Sequence, residues 1–147
     1  MITVVSAIIV LGVLIFIHEF GHFIVAKGFG IKVLRFSLGF GPKIVGKTIG
    51  ETEYCLASVP LGGYVKILGQ DPEEEIDPSE ADRAFSQKSV WIRMAVVVAG
   101  PLFNLLLAVA IFSVVYMFGV PRLTTRVGTV DHSFPAYQAG IRPGDRI

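Results

Sequence analysis

The sequence predicts a membrane protein, mainly α-helical, in which two spanning helices enclose a β-rich segment and a further small domain opens after the second helix. Three observations carry this reading. The 147 residues are 52% hydrophobic and 17% charged, against about 45–50% and about 25% in soluble domains. The apolar residues gather in two blocks, one at the N-terminus and one after Trp91. The stretch between them alternates apolar with small residues and is punctuated by glycine and proline, the signature of strands and turns.

The first element is expected over residues 1–27. Residues 2–17 are almost unbroken Val, Ile, Leu, Ala and Phe, and apolar residues resume at 23–26 after a polar interruption at 18–22. About 20 such residues cross a hydrocarbon core about 30 Å thick. A cleaved signal peptide is the competing reading, but no basic segment precedes the run and no small-residue cleavage pattern follows it. Residues 28–70 are expected to form a membrane-associated β-rich segment. Phe36, Leu38 and Phe40 alternate with Ser37, Gly39 and Gly41, and Pro42 and the glycines at 46 and 50 mark turns. A second extended run covers 53–59 and is interrupted by Pro60, Gly62 and Gly63 before 64–68. This segment is too apolar for a simple loop, and backbone of that kind at membrane depth must be covered by protein or line a cavity.

Residues 71–89 are acidic and carry Pro72 and Pro78, which predicts a solvated loop. Residues 90–120 supply the second span. Within it Pro101 removes a backbone donor and predicts a kink, and Asn104 places an amide where a polar group is costly unless it faces protein or water. A helix–helix hydrogen bond and a functional role both fit that position. Residues 121–147 hold turn chemistry and a strand start, too few to bury a core of their own, so the sequence reads as part of a longer protein.

Nine Lys or Arg residues fall within 27–93, four after Val120 and none at the N-terminal tip. Positive charge stays on the cytoplasmic side, so the 28–89 segment is expected in the cytoplasm and both ends outside. The net charge of +1 gives no reason to expect nucleic acid as a partner. The single cysteine, Cys55, excludes an intrachain disulfide and a Cys-rich metal site; it reads as a small buried apolar residue.

The chemistry lies in the interruption, His18-Glu19-Phe20-Gly21-His22. On a helix, residues four apart return to nearly the same face, so His18 and His22 can offer two imidazole nitrogens to one zinc ion. Glu19 sits beside them, placed to take a proton from a metal-activated water. In a soluble helix the same five residues are often a solvated face. Inside an apolar span each ionisable group costs a few kcal/mol, and such groups persist where they are paired, hydrated or bound to metal. Gly21 costs about 1 kcal/mol relative to alanine in a helix, which predicts close approach by a neighbouring helix or a substrate.

With this motif at the end of a first span, the sequence resembles the site-2 protease family of intramembrane zinc metalloproteases, in its bacterial regulator-of-sigma-E protease branch. The segments FSLGFGP at 36–42, VPLGGYVK at 59–66 and AGPLFN at 99–104 look like that branch's loop and second-helix motifs, and 127–147 is similar to the start of a PDZ domain. The resemblance implies regulated proteolysis of a membrane-spanning substrate such as an anti-sigma factor, in the bacterial inner membrane. It further implies a β-rich segment that offers a strand edge to the substrate, an outward PDZ-like region that filters substrates by size, and a role for Asn104 in substrate binding or transition-state support. The family completes its zinc site with an aspartate on a later helix, so these 147 residues alone are expected to bind zinc weakly and to be inactive. Two other classes compete: a non-catalytic membrane adaptor with a PDZ-like binding module, and a metal transporter. The intact His-Glu-His set speaks against a relic, and the scarcity of other polar residues at spanning depth speaks against transport.

Overall fold

The computed structural model describes residues 2–120 and 125–146. Its order is α1 (Ile2–Gly28), β1 (Val33–Ile49), β2 (Thr52–Ile67), two short 3-10 turns (Pro78–Arg83 and Phe85–Gln87), α2 (Val90–Phe118) and the single-turn α3 (Pro135–Gln138). The chain divides into two compact units, the first ending at Ile111 and the second beginning at Phe112. Of the expected small domain at 121–147, residues 121–124 and Ile147 lie outside the described residues.

Both long helices have a mean hydropathy of 2.4 and are long and apolar enough to cross a membrane. Val and Ile are mediocre helix formers in water, but in an apolar medium a helix satisfies every backbone group within one segment. α1 stops in a Schellman motif. Gly30 adopts φ +68°, its N–H reaches the Lys27 carbonyl at 3.0 Å, and the Ile31 N–H reaches the Ala26 carbonyl at 2.9 Å. The apolar contact that accompanies such a cap is made by Ala26 and Ile31, 0% and 1% exposed. α2 runs without interruption through Pro101.

The sheet differs from expectation in how it uses its breakers. Pro42 and Pro60 were expected to divide the strands, yet β1 and β2 run for 17 and 16 residues, and the residues that break α-helices here bend strands instead. Gly39 and Gly41 take φ near +90°, at +89° and +87°, which lets β1 fold over between Leu38 and Lys43. The strands pair antiparallel around the turn after Ile49, from Ile49 opposite Thr52 to Lys43 opposite Ala57. The first part of β1 is bordered on both sides: Arg35, Phe36, Ser37 and Leu38 face Lys66, Val65, Tyr64 and Gly63 on one edge and Glu53, Tyr54, Cys55 and Leu56 on the other. On that second edge the numbers rise together, so the pairing is locally parallel. The period-two alternation consequently fails as a burial pattern. Ser37 is 1% exposed with its hydroxyl donating to the Gly39 carbonyl at 3.2 Å, while Phe40 is 47% exposed.

A core formed by Ala26, Ile31, Val33, Phe36, Val65, Ile67 and Val96 joins the C-terminal half of α1, the sheet and the start of α2. The acidic stretch is tied down more than a solvated loop would be. Glu74 accepts the Gly69 N–H at 2.9 Å, Asp77 caps the turn at Ser79 at 2.8 Å, Glu80 pairs with Lys32, and Ala84 is fully buried. In the second unit, Arg126 and Arg146 form an isolated antiparallel bridge, flanked by the Val127 N–H to the Asp145 carbonyl at 2.8 Å.

Candidate metal centre

The site is built where α1 meets α2 within the first unit. Gly21 is buried, and a Cβ placed there would lie 2.6 Å from the Ala99 carbonyl oxygen. Backbone thus meets backbone, and only small residues (Gly21 on one side, buried Ala99 and Gly100 on the other) permit it. The expectation that Gly21 marks a neighbouring helix is met by α2.

Gly100 opens the space into which the two imidazoles project. A Cβ at this position would lie 2.4 Å from His22 Nε2 and 2.8 Å from His18 Cε1. The rings are 4.9 Å apart between centroids and inclined at 81°, with their Nε2 atoms 3.2 Å apart. Ligand atoms on a tetrahedral ion with bonds of about 2.0–2.1 Å are separated by about 3.3–3.4 Å. The separation seen here fits two corners of such a tetrahedron. His22 Nδ1 donates its hydrogen to the Val96 carbonyl at 2.7 Å, which leaves the Nε2 lone pair of a neutral ring free and orients it, the arrangement of metal-binding histidines generally.

Glu19 and His22 line one cavity of about 340 Å³, together with Gly63, Tyr64, Gln70 and Val97. A Cβ at Gly63 would lie 3.1 Å from Glu19 Cγ and 2.9 Å from the Ser37 carbonyl, so β2 runs directly over the glutamate. Water and an extended segment of chain both fit a space of this size and mixed lining. Asn104 lies elsewhere, with its amide nitrogen 3.5 Å from His18 Nδ1 and its Oδ1 buried without a partner; it is not among the residues that line the Glu19 cavity.

The donor set therefore fits zinc as a partial site: two imidazole nitrogens at a tetrahedral spacing, with a carboxylate on the same helical turn. Among the described residues, no group of three or more His, Cys, Asp or Glu side chains is assembled that would hold an ion alone. The sequence pointed to His18, Glu19, His22 and Asn104, and the fold brings all four to the inner part of α1 and the facing part of α2. It did not point to Gly100, Val96 or Gly63. A signal for Gly100 exists in the small pair Ala99-Gly100 before Pro101, which enters the sequence reading as a kink and as part of the AGPLFN segment but not as space for the imidazoles. None existed for Val96, which acts through its main chain.

With this geometry in view, comparison with known proteins is direct. The profile of Peptidase family M50 matches residues 6–140. A protein of Xylella fastidiosa (strain Temecula1) named as a zinc metalloprotease is 46% identical over 141 residues, covering 95% of this chain and 31% of the relative. Similarly named proteins of Neisseria meningitidis serogroup A and Vibrio cholerae are 44% and 43% identical over 145 residues each, covering 99% and 97% of this chain and 32% of each relative. The chain thus spans about a third of the length of these relatives. Matched by the family over most of its residues, and similar to these proteins almost throughout, the chain belongs to peptidase family M50.

Proposed function

We propose that these residues carry two metal ligands and the general base of a zinc-dependent endopeptidase that hydrolyses peptide bonds of membrane-spanning proteins, an anti-sigma factor being the kind of substrate the resemblance implies. The observation that carries the proposal is the pair of Nε2 atoms 3.2 Å apart on an apolar helix, with Glu19 on the same turn. Relatives bearing zinc metalloprotease names and the family match support it.

His18 and His22 hold the ion, and Val96 keeps the His22 lone pair turned toward it. When bound, zinc supplies Lewis-acid activation of water and of the scissile carbonyl. Glu19 takes the proton of the attacking water and delivers it to the departing amine. β2 at Gly63 passes over Glu19, and an extended substrate segment paired with a strand edge would reach the carboxylate with its peptide bonds exposed, which a helical substrate cannot do. Lipid covers the outward faces of α1 and α2, the 28–89 segment is cytoplasmic under the positive-inside rule, and the region after α2 opens a PDZ-like domain on the other side of the inner membrane.

Changing Glu19 to Gln in the full-length protein tests the reading. Zinc stays at one equivalent because both imidazoles remain, while cleavage of a membrane-spanning substrate falls by about 10²–10⁴-fold, the scale of a lost general base. Unchanged cleavage, or wild-type protein that is active after its metal has been stripped, overturns it.

A further inference from the structure

The amide of Asn104 approaches the site from the side opposite Val96, and the hydrogen bonding around the two rings admits two arrangements. In one, the Asn104 Nδ2 donates to His18 Nδ1 across 3.5 Å. His18 then carries its hydrogen on Nε2 and donates it across 3.2 Å to His22 Nε2, whose own ring donates from Nδ1 to Val96. That chain is self-consistent without a metal, but it occupies both Nε2 atoms and leaves Asn104 Oδ1 buried and unsatisfied.

In the other arrangement the amide is turned by half a revolution about its terminal bond. Oδ1 now faces His18 Nδ1 and accepts its hydrogen. Oδ1 gains a partner while the NH2 group takes its buried, unpartnered place, so amide pairing alone does not separate the two arrangements. The difference is that both Nε2 lone pairs now point into the same 3.2 Å gap. Two facing lone pairs repel unless a cation lies between them. The orientation of one amide therefore separates a metal-free pair from a metal-ready pair.

We propose that Asn104 is a positioning residue for His18, accepting a hydrogen bond from Nδ1–H and so holding the ring in the tautomer that presents Nε2 to the ion. This rests on the zinc reading above and assigns Asn104 a role in assembling the site rather than in touching substrate; its absence from the lining of the Glu19 cavity fits that role. Val96 and Asn104 become equivalent outer partners, one for each imidazole, and both come from α2.

The distinction between acceptor and donor makes this testable with cobalt(II) as probe. The full-length protein in detergent is stripped and titrated, with affinity read by chelator competition and geometry by visible absorption. Asn104→Leu removes the acceptor and is expected to weaken binding by about 10–100-fold, the usual effect of deleting an outer partner of a metal-bound histidine. Asn104→Asp keeps an acceptor but no donor, and is expected to bind within a few-fold of wild type with the same absorption bands. Wild-type affinity and bands in Asn104→Leu overturn the proposal, as does an Asp variant as weak as the Leu variant, since that requires a donor. If Asn104→Leu does not fold, the Asp variant alone decides. Failure of the wild type itself to bind cobalt or zinc sinks the zinc reading, a result distinguishable from failure of the Asn104 assignment.

Discussion

The two halves of α1 belong to one apolar helix and meet opposite circumstances. Up to about Val13 the helix touches little: Ile2, Val5 and Ile9 are well exposed, and a Cβ added at Gly12 meets nothing within 4 Å. From Phe16 onward it is held from two sides. Phe16 and Phe23 pack against Phe36 of β1 with ring centroids 6.0 and 5.2 Å apart, Phe23 also meets Tyr54 of β2 at 5.8 Å, and Gly21 meets the backbone of α2. The polar triad sits in the half that has partners. An apolar helix needs only lipid, whereas charged and polar groups at that depth need neighbours that orient them.

Substitutions at glycines break or sharpen this contrast. The largest effect is expected for Gly21→Leu. Its side chain would collide with the Ala99 carbonyl and with Phe103, which lies 3.0 Å from the position of a Cβ. Thermal unfolding in detergent should show a loss near the upper end of overpacking, about 3 kcal/mol; an unchanged unfolding temperature refutes the close crossing. Gly100→Ala comes next. Its methyl group would enter the space of both imidazoles, so zinc affinity should fall at least about tenfold while the helix content by circular dichroism stays the same. Gly12→Ala is the control in the same helix as Gly21. With nothing nearby, it should be neutral or stabilising by up to about 1 kcal/mol, and a marked destabilisation would mean that this half has a partner after all.

The smallest effect is expected at the turn between β1 and β2, where Glu51 Oε1 also lies 3.9 Å from Lys27 Nζ at the end of α1. The Arg83 guanidinium donates to both oxygens of Glu51, at 2.6 and 2.7 Å, and holds its carboxyl below the ordinary value of 4.5. A depressed carboxyl stabilises the fold above its ordinary range, and that contribution disappears as pH falls through the depressed value. Because the pair is substantially exposed, with side chains 42% and 33% accessible, Glu51→Gln at pH 7 should cost less than about 1 kcal/mol. The same variant should also flatten the acid limb of the unfolding curve.

Much of this was legible in the sequence, for identifiable reasons. Spanning length and apolar runs depend on composition alone, and α1 and α2 began and ended within a few residues of expectation. His18 and His22 converge because helical periodicity is a local property. The sheet was less legible. Proline and glycine at 39–42 and 60–63 normally end strands, and whether they end or bend one depends on partners distant in sequence, here the doubled register around 35–38. Asn104 could be placed on the second helix, but not against His18, because that needs the rotation of α2 about its axis. The acidic stretch was read from charge, and its ties to Gly69 and Lys32 are long-range or backbone-mediated.

The bond between His22 and the carbonyl of Val96 has a consequence for how this site drifts over time. Any residue at 96 supplies the same oxygen, so substitutions there leave no mark on the imidazole beyond their fit in the core. Inserting or deleting one residue between Val96 and Ala99 is different, because it turns Val96 by about 100° relative to the crossing at Ala99 and Gly100 and swings that oxygen away. What natural variation must preserve on this side of the centre is therefore a count along the chain rather than a letter in it.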